Sequence, residues 1–186
     1  MQDQNINELK KKLFQLLKKE ALKRGRFILS SGRESNYYLD GRIITLTPEG
    51  AYLTASIILE MIKGRDIVAV GGPTLGADPI VGALVILSYI KKIPITAFIV
   101  RKTPKEHGTK QRIEGPGLRK GSRVILVDDV ATTGKALIES KEILNNLGVI
   151  VDSAIVVVDR NEGARKNLNQ VGLRLESIFT IADFGL

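Results

Sequence analysis

The sequence predicts an α/β protein: a Rossmann-like parallel sheet flanked by helices, folded as a single domain over residues 1–186. Two observations predict it. Short apolar runs, among them IVAVGG, ITAFIV, VILV and IVDSAIVVV, alternate with longer stretches of helical periodicity. Strands that are apolar on both faces belong in a sheet covered on both sides, and alternation with helices makes that sheet parallel. The runs also lead into turns rich in glycine or polar residues, and in such sheets the ligand site forms at the carboxyl ends of the strands.

The elements follow in order. Leu9, Leu13, Leu16, Leu17 and Ala21 recur at helical spacing, so Asn5 to Arg24 reads as an amphipathic helix, started by Asn5 with Glu8 and stopped by Gly25. Phe27 to Leu29 and Tyr37 to Leu39 are short strand-like runs around a Ser-Ser-Gly turn. Thr47-Pro48-Glu49 starts a helix, with a capping hydroxyl, proline at the first position and an acid in the first turn; it runs to Lys63 and stops at Gly64. Strands are expected at Ile67–Gly71, Ile95–Val100, Val124–Val127, Ile150–Val158 and Leu175–Thr180, and helices at Ala77–Ile90, Gly134–Leu147 and Glu162–Gln170.

Composition narrows the function. There are no cysteines, which excludes disulfides, thiolate metal sites and cysteine nucleophiles. The opening MQDQNINELKKK has no apolar signal core, and the apolar run Ile80–Ile90 is far short of the roughly 20 residues a bilayer requires, so a cytoplasmic protein without membrane contact is expected. The net charge of +8 suits an anionic partner. No aromatic-and-basic stripe or zinc-finger spacing accompanies it, which argues for a phosphorylated small molecule over nucleic acid.

Three loops should converge at one sheet edge: Gly72–Asp78, Arg101–Ser122 and Asp128–Thr133, with Asp159-Arg160 ending the next strand. In VILVDDVATTGKAL, Val124 to Leu137, a buried strand leads into two carboxylates, a small-residue turn and a helix. The unpaired N–H groups and dipole of that helix favour a phosphate. Asp128 and Asp129 would repel a bare phosphate; they suit a ligand that also offers hydroxyls or a cation. GGPTLGAD, Gly71 to Asp78, is an oxyanion-type loop that matches neither a dinucleotide fingerprint nor a P-loop. The stretch Arg101–Ser122 carries seven cations and the single histidine, His107, and reads as a mobile cover over a polyphosphate.

With these residues on the page, the chain resembles the type I phosphoribosyltransferases. VILVDDVATTGKAL is similar to their phosphoribosyl diphosphate (PRPP) signature. SGRESNYYLD, RKTPKEHG and the Asp159-Arg160 pair narrow the resemblance to the orotate phosphoribosyltransferases, from Phe27 to the closing IADFGL. The resemblance implies that family's fold, with residues 1–45 forming a small N-terminal hood over the base pocket. It implies transfer of ribose 5-phosphate from PRPP to N1 of orotate, giving orotidine 5′-monophosphate and diphosphate, a step of pyrimidine (UMP) biosynthesis. Asp128 and Asp129 would hold the ribose hydroxyls, and Val130, Ala131, Thr132, Thr133, Gly134, Lys135 and Ala136 the 5′-phosphate. Arg101 and Lys102 would bind pyrophosphate, while Lys105 and His107 would close over it as catalytic groups from the other subunit of a homodimer. Thr132, Arg160, Tyr37 and Tyr38 would meet orotate. Mg²⁺ would be the cofactor, held mainly by PRPP and water with no dedicated protein ligand set. Many relatives have lysines where this chain has Ser30 and Gly76. The alternatives are a purine phosphoribosyltransferase, which has no need of Arg160 for a carboxylate, and a non-catalytic nucleic-acid-binding regulator of the same fold.

Overall fold

A computed structural model of the chain describes residues 5–28, 34–103 and 112–186. Ser30, Lys105 and His107 lie outside the described residues, so the expectations resting on them have no structural counterpart here.

The central sheet has six strands: β3 (Ala69–Pro73), β4 (Thr96–Val100), β5 (Ile113–Glu114), β6 (Arg123–Ala131), β7 (Ile150–Asp159) and β8 (Leu175–Thr180), in the order β5-β4-β3-β6-β7-β8. All neighbouring pairs are parallel except the short edge pair β4–β5. Helices α3 (Pro48–Met61) and α4 (Ala77–Ile90) serve one cluster of buried side chains, and α5 (Lys135–Asn146) and α6 (Ala164–Gln170) serve a second. A strand buried on both faces contributes alternate residues to each: Ile125 and Val127 of β6 to the first, Val124 and Leu126 to the second.

The N-terminal part departs from the expectation. Helix α1 (Ile6–Leu16) passes through a wider turn, Leu17–Ala21, and the chain then enters strand β1 (Leu22–Ile28), paired antiparallel with β2 (Glu34–Leu39). The helical segment therefore ends three residues before Arg24, and Gly25 lies inside β1 at φ +151°, where the register shifts, instead of stopping a helix. The cause is tertiary. Leu22, Lys23 and Arg24 pair with Leu39, Tyr38 and Tyr37, and that ladder outweighs local helix propensity. A short helix α2 (Arg42–Thr45) links this hairpin to α3, which Thr47 caps as expected by accepting from Gly50 N–H. The C-terminal turn folds back beneath α1: Phe14 stacks on Phe184 at 4.7 Å, and Arg24 donates to the Phe184 carbonyl. Among the described residues no helix is long and apolar enough to cross a membrane.

Candidate active site

Strand β6 runs further than the sequence suggests. It continues through Asp128, Asp129 and Val130 to Ala131, because Asp128, Val130 and Ala131 pair with Val156, Val158 and Asp159 of the longer neighbour β7. The two carboxylates are therefore held by a ladder and not by a loose turn. They also converge. A Cβ placed on Gly76, the residue before α4, would lie 2.0 Å from Asp128 Oδ1 and 2.4 Å from Asp129 Oδ1. One on Gly41 would meet Asp129 Cβ at 2.8 Å. The backbone at 76 thus occupies the space between strand and helix, and any side chain there would have to displace both carboxylates.

Asp128 Oδ1 accepts the Asp129 N–H, and Asp129 Oδ1 accepts the Val130 N–H. Both carboxyls are nevertheless pushed up from the ordinary aspartate value of 3.8. Burial is the first cause in each; for Asp128 the charge of Asp129 comes next, while Arg42 partly offsets the rise at Asp129. Asp78, in the first turn of α4, is also raised by burial, and its Oδ1 finds no hydrogen-bond partner among the described residues. Arg42 reaches this group from α2 while holding Asp40 in a two-pronged pair, at 2.9 Å for each contact. The sequence reading missed Arg42, Asp40 and Asp78. The clue lay in the Asp-Gly-Arg that closes the segment after the tyrosines. The arrangement offers closely spaced oxygen acceptors, costly to keep charged, to hydroxyl donors or a hydrated cation.

Beyond Ala131 the chain turns through Thr132 and Thr133 to Gly134, which sits at φ +77° before α5. A side chain at 134 would collide with Leu168 Cδ1, at 2.0 Å, so glycine is required by space as well as by φ. The turn is braced from outside: Ala164 N–H donates to the Thr132 carbonyl and Asn167 Nδ2 to the Thr133 carbonyl. With the carbonyls bound outward, the first N–H groups of α5 remain for an anion.

A cavity of about 380 Å³ joins this helix start to the ends of β3 and β4, lined by Pro73, Arg101, Lys102, Arg112, Lys135 and Ala136 among others. It brings Arg101 and Lys102 to the same hollow as the anion turn. Arg101 pairs with Glu114 at 3.1 Å. Arg112 donates to the carbonyls of Arg101 and Lys102.

On the other flank, Arg160 follows β7 and is only 7% exposed. Its guanidinium lies over the Tyr37 ring at 4.7 Å, Nε reaches Tyr37 Oη at 3.3 Å, and its backbone N–H donates to the Ala131 carbonyl. Neighbouring tyrosines take opposite faces of β2, as the strand period requires. Tyr37 turns to Arg160, whereas Tyr38 packs against Phe27 at 5.8 Å on the outer side. The structure thus brings Tyr37 and Arg160 together beside Thr132 and leaves Tyr38 away from that guanidinium. Glu162, also missed, pairs with Arg160 Nε at 2.8 Å. Among the described residues no cluster of three or more histidine, aspartate or glutamate side chains is arranged to hold a metal ion.

Residues 47–185 match the profile of the phosphoribosyl transferase domain. The chain is 44% identical over 179 residues to the orotate phosphoribosyltransferase of a Nostoc species, covering 96% of this chain and 86% of that protein. Among solved structures, orotate phosphoribosyltransferase from Mycobacterium tuberculosis superposes with a TM-score of 0.84 at 37% identity, covering 96% of this chain and 99% of that one. A structure of the M. tuberculosis enzyme in complex with PRPP gives 0.80 at 34% identity, with the same coverage.

Proposed function

The chain belongs to the phosphoribosyl transferase family, among its orotate phosphoribosyltransferases, and from that premise we propose that it transfers ribose 5-phosphate from PRPP to N1 of orotate. One observation carries the reading: carboxylates for hydroxyls, an anion turn and a cationic hollow meet beside a buried arginine seated on a tyrosine.

The residues have the following roles. The turn from Val130 to Ala136 cradles the 5′-phosphate, and Asp128 and Asp129 accept from the ribose hydroxyls, which fixes the sugar as C1′ gains oxocarbenium character. Arg101 and Lys102 neutralise the departing diphosphate; the developing charge is stabilised without a covalent nucleophile. Arg101 gives up Glu114 for the diphosphate. Lys105 and His107, on the cover of the neighbouring subunit in a homodimer, complete the enclosure and exclude water that would hydrolyse the activated sugar. Arg160 takes the orotate carboxylate, for which a guanidinium fork is geometrically suited, while Tyr37 and Thr132 line the base pocket.

Mg²⁺ fits this set of hard oxygen donors. The raised affinity of Asp128 and Asp129 for protons marks sites where positive charge is welcome. The ion would sit on PRPP and water, with these carboxylates nearby, and would supply charge neutralisation to the diphosphate.

The decisive experiment mixes protein, PRPP, Mg²⁺ and orotate and follows the ultraviolet absorbance of orotate. Consumption of orotate with release of diphosphate is expected. An unchanged spectrum, or turnover of adenine or hypoxanthine in its place, would overturn the assignment.

A further inference from the structure

Arg160 is nearly buried, and three contacts hold its guanidinium. The Glu162 carboxylate forms an ion pair with Nε at 2.8 Å, the Nε–H donates to the Tyr37 hydroxyl at 3.3 Å, and the Tyr37 ring supports one face at 4.7 Å. A planar fork gripped along an edge and backed on a face cannot rotate about its last torsion. It carries five N–H donors, more than one carboxylate takes up in a bidentate pair, so further donors remain to address a ligand. Glu162 is itself only 21% exposed, and a buried guanidinium without a counter-charge is costly, so the pair also stabilises the fold around Arg160.

We propose that Glu162 is a positioning residue for orotate: it locks the Arg160 guanidinium against Tyr37 in the orientation that receives the substrate carboxylate. The inference rests on the assignment of Arg160 to that carboxylate. It adds a division of labour to it. Tyr37 fixes the plane of the fork, Glu162 fixes its rotation within the plane, and the substrate meets an arginine that has no orientational freedom left to lose. Part of the ordering cost of binding is thereby met in the free protein. Neighbouring anchors hold Glu162 in place. Asp159 Oδ1 accepts the Asn161 N–H, and the segment then passes through Gly163 at φ +103° into α6.

The test is steady-state kinetics with both substrates varied, on the wild type and on Glu162→Ala, Glu162→Gln and Arg160→Gln. Glu162→Ala should raise the orotate KM about tenfold or more while the PRPP KM stays near wild type, and should lower the Tm because the buried guanidinium loses its counter-charge. Glu162→Gln should return the orotate KM to within about threefold of wild type, because its amide oxygen still sits against the edge of the guanidinium. Equal impairment by alanine and glutamine overturns the proposal, as does a PRPP KM that rises in step with the orotate KM. Should the alanine protein not fold, Glu162→Asp keeps the charge but shortens the reach; an unchanged orotate KM in that variant is equally fatal. Arg160→Gln separates the two layers. If it raises the orotate KM while Glu162→Ala does not, only the positioning role falls. If Arg160→Gln itself leaves the orotate KM unchanged, the base-site assignment falls and takes this inference with it.

Discussion

Replacing Asp128 by asparagine should stabilise the ligand-free protein and abolish its response to PRPP. Oδ1 atoms of Asp128 and Asp129 crowd the same point above Gly76, and both carboxyls are raised by burial, with mutual repulsion adding at Asp128. Two unit charges about 4 Å apart repel by about 4 kcal/mol at an effective dielectric of about 20. Arg42 and the positive end of α4 offset part of this, leaving a net relief of about 1–2 kcal/mol for the neutral isostere. Asparagine keeps the oxygen that accepts the Asp129 N–H, so the ladder is not disturbed. For a chain of this size each kcal/mol moves Tm by about 2–4 °C, giving a rise of about 2–8 °C. The pH dependence has a definite sign. A carboxyl raised in the native state binds its proton to a higher pH than in the unfolded chain, so wild-type stability falls as pH rises from the unfolded value through the native one. The advantage of Asp128→Asn should be full at about pH 8 and vanish below about pH 3, where the wild-type carboxyl is protonated in the folded and unfolded chains alike. Thermal melts at both pH values, with and without PRPP and Mg²⁺, provide the measurement. Saturating PRPP should lift the wild type and leave the variant in place, reversing their order. A lower Tm for the ligand-free variant at pH 8 would refute the reasoning, since the carboxylate would then be a net support of the fold.

Two other perturbations probe the frame on either side of the site. Gly134→Ala forces a side chain into positive φ and against Leu168 Cδ1; urea unfolding should show a loss of about 1–3 kcal/mol, and calorimetry a weaker PRPP affinity. Glu176, at the opposite end of the sheet, accepts from both Arg65 prongs at 2.6 and 2.7 Å and from Ser153, and the Arg65 hydrogen bond holds its carboxyl below the usual value. Glu176→Gln should cost about 1 kcal/mol at neutral pH without changing kcat/KM. Because a lowered carboxyl supports the fold above its unfolded pKa and loses that support in acid, the deficit should disappear on acidification; a deficit that persists at low pH counts against the pair.

The sheet was legible because its signals are local and repeated. Ala77–Ile90 is a helix at the predicted bounds, and Thr47 caps α3 through the hydroxyl that the sequence offered. The hairpin was less legible. Five of the seven residues of β1 are exposed, so LKRGRFI shows no alternation, and its pairing is decided by β2 some ten residues away. The carboxyl end of β6 was misjudged for a related reason: Asp128 and Asp129 are poor strand residues, and only the length of β7 keeps them in the ladder.

The site divides along the same line. Asp128, Asp129, Gly134 and Arg160 lie in compact motifs whose residue types already declare their chemistry. Gly76 and Glu162 declare nothing alone. Gly76 acquires its meaning from the carboxylates of a different strand, and Glu162 from a guanidinium whose orientation depends on a tyrosine 123 residues away in sequence. Motif chemistry tells which ligand groups are met; tertiary contacts tell how rigidly they are met. If transition-state geometry sets the rate, the second set should govern turnover and substrate KM as strongly as the first, although no linear pattern reveals it. The kinetics of Glu162→Ala beside those of Arg160→Gln put that claim to measurement within a single pocket.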